Sequence, residues 1–138
     1  MMNNPAVDLL IKKLASLGVV SASEVSSAGI DLDEVGSHGR TLLMAAASAG
    51  LHTTVDMLVD LGASVSAVGT RRLTALHEAS ATGHTRIASR LLELGAAVNA
   101  ESEDGVTPLM CAAAWGHVEA RYCKKLWIEV FRRRPVGV

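Results

Sequence analysis

The stretch "TALHEASATGH", Thr74 to His84, decides how this chain is read. It holds two histidines, a glutamate and several hydroxyls, which at first looks like acid–base or metal chemistry. Two other stretches argue otherwise. "TLLMAAASAGL" begins at Thr41 and "TPLMCAAAWGH" begins at Thr107, so the three threonines are spaced by 33 residues. Gly50, Gly83 and Gly116 keep the same spacing, as do Gly29, Gly62 and Gly95. A period of this length marks a repeat architecture, in which each unit is one supersecondary element that cannot bury its apolar face alone.

The units read as follows. One spans residues 36–68, a second 69–101 and a partial third 102–120, preceded by a degenerate copy within residues 1–35. Each unit carries two short helical patterns. The first, such as Leu76 to Ala81, is rich in alanine and ends near a glycine. The second, such as Thr85 to Leu94, puts Ile87, Leu91, Leu92 and Leu94 on one stripe and stops at Gly95, a residue suited to a left-handed helix end. Ser21 and Glu24 form a capping-box pair ahead of the second helix of the first copy. Asp104-Gly105 signals a tight turn between units. Helices this short are unstable in isolation, so neighbouring units must stack.

These units resemble ankyrin repeats, a family with a 33-residue period and a Thr-Pro-Leu-His-x-Ala signature. Thr74, Leu76, His77 and Ala79 match that signature, with Ala75 in place of its proline. Thr107, Pro108, Leu109 and Ala112 match, with Met110 for the histidine; Thr41, Leu43 and Ala46 match, with Leu42 and Met44 substituted. The resemblance covers about residues 33 to 120. It implies an all-α solenoid of stacked helix-turn-helix units joined by short β-turn or hairpin connections.

The totals agree with a non-catalytic module. Thirteen basic and fourteen acidic residues leave a net charge of -1, which gives the whole molecule no bias toward nucleic acid. Aromatics are only 3% of the chain, so alanine, leucine and valine must do the packing. Cys111 and Cys123 are read as reduced thiols, and no stretch has the length or apolarity of a membrane span. His77 and Glu78 lack the second histidine that a zinc helix needs four residues after the first; His84 lies beyond Gly83. In the resembled family the signature histidine and threonine bond at the helix start and tie one unit to the next. Asp31, Asp33 and Glu34 lack the spacing of a calcium loop. The expectation is therefore no enzyme, no cofactor and no metal, in a cytoplasmic protein with the nucleus as the alternative.

What the resemblance implies for function is protein binding by the concave face of the stack, as adaptor, inhibitor or targeting subunit. No small-molecule substrate is expected. In similar proteins the contacts lie on the turn tips and on the exposed face of the first helix. Carried over by position, these are Ser37, His38, Arg40, Ser48 and Ala49 in the first full unit. The second gives Thr70, Arg71, Arg72, Leu73, Ala81 and Thr82; the third gives Glu103, Asp104, Val106, Ala114 and Trp115. Arg71 and Arg72 replace the usual Asp-Gly of the tip, and are either two guanidinium groups ready for anions or plain solvated charges. Trp115 is either a contact residue or a shield for the last unit.

After Ala120 the pattern breaks. Residues 121–138 carry a charge of +5 against -6 for the rest, and all four aromatics lie beyond residue 114. This segment reads as a divergent cap, as a basic amphipathic element for an anionic membrane or nucleic acid, or as the replacement of a longer array. Binding through the tail would collapse with salt and vanish with deletion of residues 121–138, whereas binding through the repeat face would survive that deletion.

Overall fold

The computed structural model describes residues 5–18, 20–36 and 38–114. Among these residues the chain forms seven α-helices, a single 3-10 turn at Thr70–Arg72 and no strand. They are α1 (Pro5–Leu17), α2 (Ala22–Ser27), α3 (Leu42–Ala49), α4 (His52–Asp60), α5 (Ala75–Thr82), α6 (Thr85–Glu93) and α7 (Pro108–Ala114). The first helices α1, α3, α5 and α7 pack in series, and α4 and α6 pack outside α3 and α5. The result is the all-α stack that the period implies. The expected segment boundaries at residues 115–138 lie outside the described residues, as does the start of the chain before residue 5.

Among the described residues the repeated threonines and glycines do the same job from unit to unit. The Thr41 hydroxyl accepts from the Met44 N–H at 3.2 Å, Thr74 from His77 at 3.3 Å and Thr107 from Met110 at 3.3 Å. Each threonine thus caps its helix by satisfying one of the amides that a helix start leaves unbonded. Gly50 and Gly83 close α3 and α5 with φ of 78° and 76°, and the Ser21–Glu24 capping box opens α2. At the ends of the outer helices, the Ala63 N–H reaches back to Leu58 O and that of Ala96 to Leu91 O, each at 2.9 Å. These bonds close the turns at Gly62 and Gly95.

The apolar stripe of α6 is Ile87, Ala88, Leu91 and Leu92, all buried. Leu94 is half-buried, because the helix ends at Glu93 and Leu94 caps it. Between the first helices the packing is made by alanines. Ala46, Ala47, Ala79 and Ala112 have no solvent exposure, so these helices approach as closely as a methyl side chain allows.

Backbone bonds between turn tips join the units a second time. The Thr70 N–H donates to Gly39 O at 2.9 Å, and one unit on the Glu103 N–H donates to Arg71 O at 3.0 Å. The approach is close: a Cβ on Gly69 would stand 2.2 Å from Gly39 O, so only glycine fits there. Asp33 adds a third link, its carboxylate accepting from the Ser64 N–H at 2.9 Å. The acidic cluster at residues 31–34 is thus used in loop bonding, with Asp31 and Glu34 accepting from neighbouring amides.

His77 is a cross-unit strut. It is 1% exposed, and both ring nitrogens are engaged. Nδ1 accepts from the Thr74 N–H at 3.2 Å and lies 2.9 Å from the Thr74 hydroxyl. Nε2 lies 2.7 Å from the carbonyl of Val106 in the next unit. Nδ1 as acceptor requires the proton on Nε2, so the neutral ring donates to Val106. His84 does similar work: its Nε2 meets Ser48 O at 3.1 Å, and its ring lies over Gly50, where a Cβ would come within 2.7 Å.

The second tip is strained. Gly39 and Gly105 take φ of 77° and 76° at equivalent places in the first and third tips. In the second tip that place belongs to Arg72, with φ of 60°, and Arg71 before it has φ of 64°. Left-handed backbone at a residue with a Cβ costs on the order of 1 kcal/mol or more. Arg72→Gly should therefore raise stability by about 1 kcal/mol, read as a thermal midpoint about 4 °C higher. An unchanged or lower midpoint would show that the arginine is not strained.

A second expectation concerns acid. Burial holds the His77 imidazole below its ordinary value of 6.5, against the opposing pull of the Val106 and Ala100 carbonyls. Because its pKa is depressed in the fold, the stability it supports is present above pH 6.5 and declines as pH falls toward the folded value. Between pH 7 and 5 the wild-type midpoint should fall more than that of His77→Gln. Parallel curves would refute this.

Candidate protein-binding face

The tips and the exposed side of the first helices form one surface. Of the residues carried over from the resemblance, His38, Arg40, Thr70, Arg71, Arg72, Glu103 and Asp104 are exposed, and Leu73 and Val106 are half-buried. Ala49 and Thr82 are exposed, whereas Ser48 and Ala81 are half-buried along α3 and α5. Ser37 and Trp115 lie outside the described residues, and so does the Ala114 side chain. The tips are held beside one another by the two cross-unit backbone bonds, so their side chains are presented from a fixed frame.

Several of these residues do structural work as well. Val106 supplies the carbonyl that His77 grips. Thr70 sits under Gly39, where an added Cβ would lie 2.1 Å from its hydroxyl. The two arginines also differ in a way that their adjacency in sequence does not reveal. Arg71 Nη2 pairs with Asp104 Oδ2 at 2.6 Å across the tips, so it is not a free cation. At 65% and 61% side-chain exposure the pair holds position more than it adds stability. No hydrogen bond or ion pair within the described residues uses the Arg72 side chain.

The structure adds a residue that the sequence reading passed over. Glu78 sits at the x of the signature, on the exposed side of α5, at the place taken by Ala45 one unit earlier and Cys111 one unit later. Its side chain is only 11% exposed, and its Oε2 pairs with Arg40 Nη2 at 3.2 Å. This bond reaches from the first tip to the second unit's helix. Burial raises the Glu78 pKa, while the Arg40 charge and the Ser48 side chain pull it back down. The Cys111 thiol is pushed up by burial and by the Glu78 charge. The signal for Glu78 was present in the sequence as one carboxylate in a column of small residues. Weighing it only as half of a zinc helix hid it.

On the opposite side, α4 and α6 enclose a shallow groove lined by His52, Val55, Asp56, Arg86 and Ile87. Arg90 crosses it, donating to Asp56 at 3.0 Å and lying 3.5 Å from Glu93. Its charges are matched within the groove. Among the described residues no helix is long and apolar enough to cross a membrane.

A raised carboxyl pKa contributes stability that is present below the ordinary value of 4.5 and lost as pH rises through the folded value. At neutral pH the ionised Glu78 is therefore a cost that Arg40 offsets. Arg40→Ala should lower stability by about 1 kcal/mol at pH 7 and have little effect at pH 3, where the carboxyl is neutral. An equal loss at both pH values, measured by denaturant unfolding, would mean that Arg40 acts through packing alone.

A search of curated proteins found no match to this chain. A comparison with family models matched residues 43–122 to a model described as ankyrin repeats in three copies. The match spans more than half of the chain and coincides with the region where threonine caps, glycine ends and tip bonds recur. Such repeats are generally protein–protein interaction modules and are typically not enzymes. The chain belongs to the ankyrin repeat family.

Proposed function

We propose that this protein is a non-catalytic adaptor, inhibitor or targeting subunit, which holds a partner protein against the ledge formed by its tips and first helices. One observation carries the reading. The units are joined by backbone bonds and by His77, with Arg40, Arg71 and Arg90 held in cross-unit ion pairs, which leaves the side chains of His38, Arg72, Thr82 and Glu103 exposed on a fixed frame. A frame fixed by other residues lets these positions carry recognition without loss of fold. The small side chains of Ser48 and Ala81 line α3 and α5 on this side, which suits close approach by a partner segment. The interface is modest in size, and the cytoplasm is the compartment that fits the free Cys111 thiol.

The test is affinity capture from a cell lysate with the full chain as bait, compared with a Ser48→Arg/Ala81→Arg double variant. A second variant carries Gln at Arg132, Arg133 and Arg134. The reading expects a partner that is lost with the double variant and retained with the tail variant at moderate salt. A partner that ignores the double variant but is lost with the tail substitutions would replace the reading with electrostatic docking through residues 121–138.

A further inference from the structure

We infer that the second tip is a specificity element, in which Arg72 receives an acidic side chain of a partner peptide that also carries an aliphatic residue beside it. The inference rests on the protein-binding reading and names the chemistry of its partner.

Backbone conformation is the first observation. The first and third tips place glycine at the left-handed position, and the second places Arg72 there, next to a second left-handed arginine. Strain of this kind persists where something outside the local geometry favours the side chain. Among the described residues nothing does, because Arg72 is exposed and no bond there uses its guanidinium. The neighbour explains the arrangement. Arg71 is occupied by Asp104 at 2.6 Å, which anchors the second tip to the third. Among the described residues Arg72 has no ion-pair partner, and it stands on a tip tied to both neighbours, by Thr70 N–H to Gly39 O and by Glu103 N–H to Arg71 O. A guanidinium held from a fixed backbone loses less freedom when it meets a carboxylate in its bidentate geometry.

Surroundings choose the kind of anion. Val68 is 49% exposed, and Leu73 follows Arg72 half-buried, so aliphatic surface adjoins the charge. Glu101 at the end of this unit and Glu103 at the start of the next are exposed, and residues 1–120 are acidic overall. A nucleic acid or an extended polyanion would bring repeated charge against these acids. One carboxylate flanked by an aliphatic residue would not. The chemistry therefore fits an acidic-aliphatic peptide segment.

The experiment uses the full chain and arrays of short, end-blocked peptides. Each carries one Asp or Glu beside Leu, Val or Ile, with an Asn or Gln counterpart for every acid. A single-stranded oligodeoxythymidine serves as the polyanion control. A subset of acidic peptides should bind with about tenfold preference over their amide counterparts, and Arg72→Gly should remove that preference. Arg72→Lys should keep part of it. Because Arg72→Gly relieves strain, a loss of binding is not a loss of fold, and its thermal midpoint checks this directly. Equal binding of acid and amide peptides overturns the inference, and so does Arg72→Gly binding like wild type. Stronger binding of the oligodeoxythymidine, abolished in Arg72→Gly, would overturn it in favour of a general polyanion site. Peptides that respond to Ser48→Arg/Ala81→Arg but not to Arg72→Gly would leave the binding face standing and remove only the arginine's role.

Discussion

Helices α2 to α6 are six to nine residues long, too short to persist in water by their own hydrogen bonds. Burial against a neighbouring unit is what sustains them, and most features of the chain follow from that need. The buried alanines let the first helices approach closely. Threonine caps satisfy helix starts that lie inside the stack, where water cannot reach them. Glycines at the helix ends turn the chain sharply enough for each second helix to fold back on its first.

The junctions between units are not equal. Between the second and third units His77 spans the gap and bonds the Val106 carbonyl. At the matching place one unit earlier stands Met44, equally buried, whose sulfur lies 3.0 Å from where a Cβ on Gly69 would be. That junction is packed rather than hydrogen-bonded by the signature residue. It is joined instead by polar side chains outside the signature: the Arg40–Glu78 pair, the His84 bond to Ser48 O and the Arg90–Asp56 pair. Exposed pairs of this kind are worth little singly. Arg40–Glu78 differs because one partner is nearly buried, and removing the other leaves a carboxylate short of solvent.

This division of labour separates scaffold from recognition. Backbone groups and buried side chains satisfy one another across the units, so the tip side chains are largely spared. Arg40 and Arg71 are exceptions, since their charges are spent on Glu78 and Asp104. Neighbouring arginines in a turn thus have different fates, one structural and one open to solvent.

Periodicity alone determined the architecture of this protein. Thr41, Thr74 and Thr107 at one spacing, with their glycines, require like surroundings, and the three caps agree within 0.1 Å. His77 was legible as scaffold for the same reason, because its partner Thr74 lies three residues away in sequence. The binding ledge was legible only as a set of positions. The pairing of Arg71 with Asp104, of Arg40 with Glu78, and the freedom of Arg72 were decided by tertiary structure. Local spacing fixes which residues share a helix face or a turn. Which charge meets which across adjacent units depends on how closely the units stack and on the backbone angles of the tips, and one unit's sequence specifies neither.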